Sequence, residues 1–302
     1  MENSSSMIQL QNEHLQVLIK SRGAELCSLK HKQSGTEYIW QAQPDIWGKH
    51  SPILFPIVGT LKNGTYSYQG QTYAMGRHGF ARDMDFACIE NNEHQVIFQL
   101  VANDETLKCY PFLFELRVVY TLQNNTVDVR YEVQNSGMQT MYFSIGAHPA
   151  FNIPLEKEAD FESYSVQIDV LDSQTLPILL YPLNEHGLLR AAESTPYFET
   201  VRNIMPLKRD LFQQDALVFK GINAAVISII DEQQQCRLQV QYDNFPYLGL
   251  WNKYGADFMC IEPWCGITDA EDTHGCLTAK EGMMKLEPQN KWTAAWEIAI
   301  PN

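Results

Sequence analysis

The sequence predicts an all-β protein, a large antiparallel β-sandwich in which residues 1–302 form a single domain. Three observations predict it. Apolar and polar residues alternate with period two along most of the chain, turn residues punctuate the alternating runs, and helical periodicity is scarce. Sheets with one wet face leave that alternation, and two such sheets bury their apolar faces against each other.

Leu15–Ile19 opens the pattern, and Glu25–Lys30 follows after the Arg22-Gly23 break. Thr65–Tyr68 and Gln71–Tyr73 flank Gln69-Gly70, a hairpin whose glycine supplies the turn conformation. Asn91–Asn103 alternates as a strand does. A longer hairpin joins Phe114–Leu122 to Val127–Val133 through Gln123-Asn124-Asn125, with Val127, Val129, Tyr131 and Val133 on one face. Met141–His148 alternates too, placing Tyr142, Ser144, Gly146 and His148 together. A turn or two of helix is expected only in pieces such as Pro206–Gln213. Neither a Pro/Gly/Ser-rich linker nor an internal repeat divides the chain.

An apolar fraction of 45%, with 14 Tyr, 14 Phe and 6 Trp, excludes disorder as the dominant state. The 22 basic residues against 36 acidic ones leave a net charge of −14, which argues against nucleic acid or an anionic membrane as partner. No apolar run is long enough to span a bilayer, and Met1–Glu13 has no charged segment followed by an apolar one. The seven cysteines include no C-x-x-C pair, so unpaired thiols, no zinc site and a cytoplasmic location are expected.

Phosphate-loop, dinucleotide, nucleophile-elbow and zinc-protease motifs are all missing. What stands out is polar residues at odd places in apolar strands. His148 precedes Pro149, which biases it towards extended backbone; it reads either as a core histidine bonded to a carbonyl or as a proton donor. Glu262 ends the apolar run Phe258–Ile261, where it either emerges at the sheet rim or is buried with a raised pKa that suits a general base. Arg77–Asp83 is a charged cluster, read as a solvated loop with a local Arg–Asp pair or as part of a site. Trp251 reads as core or as a flat wall for a sugar ring. Thr268–Asp272 reads as a solvent-facing acidic loop without a role.

Taken together, five segments resemble the aldose 1-epimerase (galactose mutarotase-like) family, in its LacX-like branch. They are Phe55-Pro56-Ile57-Val58-Gly59, Leu61-Lys62-Asn63-Gly64, His78-Gly79-Phe80-Ala81-Arg82-Asp83, His148-Pro149-Ala150-Phe151-Asn152 and Ile261-Glu262-Pro263-Trp264. The resemblance runs from Gly23 to the final strand Ala294–Ile300. It implies a β-supersandwich holding a monosaccharide, with Glu262 as general base, His148 as general acid, His78 as a sugar-binding histidine that polarises the ring oxygen, and Asp215 as a hydroxyl-binding aspartate. Arg82 and Trp251 are further candidates for substrate binding. Related sequences usually carry an arginine where this chain has Thr60; Lys62 and Arg82 are the residues expected to replace it.

The implied activity is cofactor-independent interconversion of the α and β anomers of an aldose. Ring opening needs a base at the C1 hydroxyl and an acid at the ring oxygen, so the reading has the imidazole held cationic by nearby negative charge. It also has the imidazole and carboxyl converging from opposite edges of a pyranose-sized hollow. No metal or cofactor is expected. The expected partner is a monosaccharide or sugar phosphate, and the protein is expected to be a monomer or homodimer. A hexose-6-phosphate 1-epimerase would add a cationic site from Arg77, Arg82, Lys62 or Lys253. A non-catalytic carbohydrate-binding protein on the same scaffold is the other alternative.

Overall fold

Alternation in the sequence becomes alternation in burial. Along Thr126–Asn135 every second side chain is buried, and Leu15–Lys20 and Gln95–Val101 repeat the pattern. A computed structural model describes residues 6–156, 158–171 and 177–301; residues 1–5 and 302 of the expected domain, among others, lie outside the described residues.

The largest sheet has nine antiparallel strands in the order Arg202–Pro206, Ser165–Val170, Ala224–Ile230, Cys236–Asp243, Lys291–Ala299, Thr126–Asn135, Phe114–Gln123, Gln95–Val101 and Ala87–Asn91. A second sheet of eight strands runs Thr195–Phe198, Ile178–Tyr181, Leu217–Lys220, Tyr247–Trp251, Phe258–Cys265, Ile145–Ala147 and Ile53–Leu54, with Ala150–Asn152 also pairing to Phe258–Cys265. Met7–Gln11, Leu15–Lys20 and Glu25–His31 form a third. Val129 of the first sheet, Leu250 and Ile261 of the second and Val17 of the third belong to one buried apolar cluster, so the sheets stack face to face around a shared core.

Both expected hairpins form, as Thr65–Tyr68 with Gln71–Ala74 and Phe114–Gln123 with Thr126–Asn135. Two local expectations are corrected. Met141–His148 is not one strand: it breaks at Ser144, whose buried hydroxyl accepts a hydrogen bond from the Val58 N–H, so Met141–Phe143 and Ile145–Ala147 join different sheets. Pro206–Gln213 is the end of a strand followed by turns. The α-helix among the described residues is instead Asp104–Cys109, started by Asn103, whose side chain accepts from the Glu105 and Thr106 N–H groups.

The strand Phe258–Cys265 is buried along its whole length, on both faces. Met259, Ile261 and Cys265 enter the main core. Phe258, Cys260 and Trp264 point the other way, into two smaller clusters, and Glu262 lies on that same face by alternation. Its neighbour Tyr247–Trp251 divides likewise, with Leu248 and Leu250 in the core and Tyr247, Gly249 and Trp251 opposite. Gly249 has a packing reason: a Cβ there would stand 2.6 Å from Cζ2 of Trp264. The face turned away from the core is therefore where the unusual polar residues collect. All seven cysteines are unpaired, as expected.

Candidate active site

His148 follows the strand Ile145–Ala147, which pairs with Phe258–Cys265 through Gly146 and Trp264. Adjacent strands bring their side chains together, and His148 Nε2 lies 3.3 Å from Glu262 Oε2. The two groups thus converge, but side by side and in contact rather than from opposite edges of the hollow, because they arise on neighbouring strands. Both residues are buried, which decides between the two readings of Glu262: it is not at a wet rim.

Burial dominates their electrostatics. It raises the Glu262 carboxyl well above its ordinary range, against a lowering influence from Arg77, while Asp215 adds to the rise. It pushes the His148 imidazole down to about 3, assisted by the positive charges of Arg77 and Arg82. The expectation that nearby negative charge holds His148 cationic is therefore corrected: desolvation of the charged ring outweighs it. Both shifts favour the uncharged forms, so burial favours a proton on the carboxyl over one on the ring. Among the described residues His148 Nδ1 and Glu262 Oε2 have no hydrogen bond.

His78 stands edge-on to His148, with ring centroids 5.6 Å apart at 85°. Its Nδ1 accepts the Gly59 N–H at 3.1 Å. A ring nitrogen that accepts is unprotonated, so the neutral ring carries its hydrogen on Nε2. Burial first, then coupling to the neighbouring His148 imidazole and the positive charges of Arg77 and Arg82, keep the His78 pKa well below its ordinary value. His78 is a neutral donor. Gly59 permits this approach with φ +76°, and a Cβ there would lie 2.4 Å from that of Thr268.

Trp47 completes the surroundings of the imidazole, and sequence reasoning missed it. Its ring stacks on His148 at 5.1 Å and 24°, while Trp251 meets the same imidazole edge-on at 5.7 Å and 80°. The loop bearing Trp47 is fastened at several points. Trp40 Nε1 donates to the Trp47 carbonyl at 2.9 Å, Lys49 Nζ lies 2.6 Å from Asp83 Oδ1, and buried Glu25 accepts the His50 and Ser51 N–H groups at 2.7 and 3.1 Å.

Thr268–Asp272 is also corrected. Glu271 and Asp272 are exposed, but Thr268 and Asp269 are buried. Thr268 Oγ1 accepts the Thr60 N–H at 2.9 Å and stands 3.0 and 2.8 Å from the Thr60 and Gly187 carbonyls. Lys280 Nζ donates to Asp269 Oδ1 at 2.8 Å and to the Ile267 carbonyl at 2.6 Å. A buried lysine thus neutralises a buried carboxylate directly behind the cavity wall.

These residues enclose a cavity of about 240 Å³, the scale of a single sugar ring, lined by His148, Glu262, His78, Arg82, Trp251, Trp47 and Thr268 among others. Arg77 and Lys253 line it too. Asp215 does not: it borders an adjoining cavity, with Oδ2 3.4 Å from Arg77. Lys62 is likewise outside, its Nζ spent on the Glu271 and Thr273 carbonyls at 2.6 and 3.3 Å, so it does not replace the arginine expected at Thr60. Thr60 and Arg77 instead face one point beside Gly187. The Arg77–Asp83 cluster supplies the site as well as pairing locally, with Arg82 Nε 3.6 Å from Asp83.

Two sets of donor atoms are close enough to share a metal ion, His148 with Cys260 and Glu262, and Glu25 with Cys27 and His50. Lys20 already pairs with Glu25, and the positive charges of Arg77 and Arg82 bear on His148. Burial also pushes the Cys27 thiol to about 12 and the Cys260 thiol well upward, away from the thiolate a metal needs.

Known proteins share this arrangement's framework. Protein LacX from Lactococcus lactis subsp. lactis is 36% identical over 302 residues, 98% of this chain and 99% of its own. A galactose mutarotase related enzyme from Lactobacillus acidophilus superposes with a TM-score of 0.91 at 34% identity, covering 98% of each chain. A galactose mutarotase-like protein from Lactobacillus casei gives 0.87 at 30% identity, covering 98% of this chain and all of the other. The profile of aldose 1-epimerase matches residues 6–298, and with it the chain belongs to the aldose 1-epimerase family.

Proposed function

We propose that the protein, with residues 1–302 forming one domain, is a cofactor-independent mutarotase that interconverts the anomers of a neutral aldose. The observation that carries the reading is the His148–Glu262 pair, 3.3 Å apart, at the wall of a cavity of about 240 Å³.

Ring opening takes a proton from the C1 hydroxyl and gives one to the ring oxygen. A pair holding one proton has both capacities at once. Burial alone leaves that proton on Glu262. Hydroxyls of a bound sugar donate to the carboxylate and favour its ionised form, which moves the proton to His148. Glu262 is then the base and His148 the acid, and closure from the other face of the aldehyde reverses the roles. His78 donates from Nε2 to a sugar oxygen, and its tautomer keeps it from competing as an acid. Trp47 and Trp251 hold the imidazole and exclude water. Each placed acid or base contributes about 10²–10⁴-fold.

The phosphate-ester alternative draws less support. Lys62 is outside the cavity, and Arg77 and Arg82 each face a carboxylate, Asp215 and Asp83. That leaves Lys253 as the cation without an ion pair among the described residues of the cavity. Decay of the optical rotation of fresh α-glucose and α-galactose tests the reading: acceleration is expected, and Glu262→Gln should remove it while the fold persists. Faster turnover of glucose 6-phosphate than of glucose would favour the ester. Saturable sugar binding without any rate would favour a binding protein.

A further inference from the structure

Trp264 follows Glu262 by two residues in the strand Phe258–Cys265 and shares its face. It is 4% exposed and lines the inner cavity. Among the described residues its Nε1 has no hydrogen-bond partner, and neither has Glu262 Oε2. A buried N–H left unpaired is costly, so a donor of this kind calls for an acceptor that the resting site lacks. We propose that this N–H is the donor held ready for the ionised Glu262 carboxylate, which makes Trp264 a positioning residue for the general base. The proposal rests on the mutarotase reading and deepens it.

The lie of the ring is the first argument. Glycines flank it on both neighbouring strands. A Cβ on Gly146 would stand 2.6 Å from Cδ1 of Trp264, and one on Gly249 would stand 2.6 Å from Cζ2 and 3.1 Å from Cε2. Nε1 is bonded to Cδ1 and Cε2, so the edge that carries the N–H spans from one glycine to the other. Gly146 is the register partner of Trp264, whereas Gly249 is the register partner of Glu262. The indole therefore leans along its own strand towards the level of the carboxylate. Neither glycine has a left-handed backbone, so what each supplies is room for the ring.

The second argument is chemical. Burial raises the Glu262 carboxyl; the charge of Arg77 and the N–H of Trp264 act against it, and Asp215 opposes them. Arg77 faces Asp215 at 3.4 Å, which cancels part of its charge. The indole N–H only donates and has no counter-ion. A hydrogen bond to a carboxylate is about twice as strong as one between neutral groups, so this donor favours passage of the proton from Glu262 to His148. His148 at 3.3 Å and Cys260, whose thiol burial keeps protonated, are the other titratable groups against Glu262. His78, Arg82 and Lys253 stand around the same cavity, and Tyr247, opposite Trp264, turns its hydroxyl to Glu281 at 3.3 Å. Replacing the indole leaves all of these in place.

The experiment is Trp264→Phe, which keeps an aromatic ring between the glycines and removes the N–H. Polarimetric kcat and KM for glucose and galactose are measured from about pH 2 to 10. With the carboxylate harder to ionise, the alkaline limb should move up by about one pH unit and kcat should fall about tenfold. KM and the acid limb should stay near the parent's, since the second proton goes to His148 while Glu262 is already protonated. A role in packing alone gives the reverse: water entering a loosened site would lower the alkaline limb and raise the acid limb, and that result overturns the proposal. An unmoved alkaline limb overturns it too, and a raised KM alongside would assign the N–H to a sugar oxygen. NMR of the protein carrying isotope-labelled tryptophan needs neither turnover nor a stable variant. The Trp264 Nε1–H resonance, assigned by its contacts with Gly146 and Gly249, should move downfield as pH rises from about 5 to 10, and should stay fixed in Glu262→Gln. A resonance indifferent to pH, or one that titrates alike in Glu262→Gln, overturns the proposal. Should no sugar be turned over, the mutarotase reading fails, and this resonance decides the hydrogen bond alone.

Discussion

His148 Nε2 stands 3.3 Å from Glu262 Oε2, with side-chain exposures of 9% and 1%. At that separation the groups titrate as one unit with two macroscopic steps. Adding a second proton means charging His148, which burial has pushed from 6.5 down to about 3. Removing the last proton means ionising Glu262, which burial holds well above 4.5. Activity should therefore be bell-shaped in pH and broad at the top. The acid limb is expected below the ordinary histidine range and the alkaline limb above the ordinary carboxyl range. Polarimetric kcat/KM, corrected for buffer catalysis, from about pH 2 to 10 measures both limbs. An acid limb at the ordinary histidine value would mean a hydrated His148.

His78 separates position from chemistry. Asparagine places its Oδ1 near the Nδ1 position and keeps an acceptor for the Gly59 N–H, but it has nothing at Nε2. His78→Asn should lower kcat/KM about tenfold or more at modest cost in stability, since a hydrogen bond to a sugar oxygen is worth about 1–3 kcal/mol in a dry site. His78→Ala should lose the same activity and, by leaving the Gly59 N–H buried without a partner, a further ~1–3 kcal/mol of stability. Paired urea titrations and rate measurements check both. Equal stability of the two variants would dismiss the Gly59 bond as an anchor.

Much of this was legible in the residues, and the reason is local. Strand faces follow from period-two patterning, so Val127–Val133 could be read from the sequence, and Glu262 stood out as a carboxylate closing the apolar run Phe258–Ile261. Trp47 was not legible, because what aims its loop at His148 is Glu25 and Asp83, remote in sequence, together with Trp40 seven residues earlier. Asp269 misled for the same reason: within an acidic run it reads as exposed, and its burial depends on Lys280. The charge state of His148 was reasoned from its neighbours, whereas burial, a property of the assembled fold, decides it.

Holding Glu262 protonated weakens the fold at alkaline pH. Above its ordinary value of 4.5 the carboxyl ionises in the unfolded chain but keeps its proton in the folded one. The unfolded state then binds fewer protons, so stability falls as pH rises towards the folded pKa. Glutamine carries no such penalty. Glu262→Gln should be more stable than the parent at pH 8, by a few kcal/mol, with the gap narrowing towards pH 5. Thermal melts at both values measure it, and a pH-independent gap would point to packing instead.

The buried Lys280–Asp269 pair links stability to the cavity wall. Lys280→Met removes the cation and leaves the Asp269 carboxylate buried, with the Lys62 N–H at 2.9 Å as its remaining contact in the hydrogen-bond network. Breaking a buried pair from one side costs about 3–5 kcal/mol. Asp269 follows Thr268, which fastens Thr60 and Gly187, and Thr60 follows the Gly59 that holds His78. Loss of the pair should therefore lower kcat/KM as well as the melting temperature. Lys280→Met combined with Asp269→Asn removes the uncompensated charge but keeps an acceptor for the Lys62 N–H, so it should recover part of both losses. Urea unfolding and polarimetry of the single and double variants check this. A double variant as unstable as the single one would show that the lysine acts through its hydrogen bond to the Ile267 carbonyl, 2.6 Å away, rather than through the carboxylate.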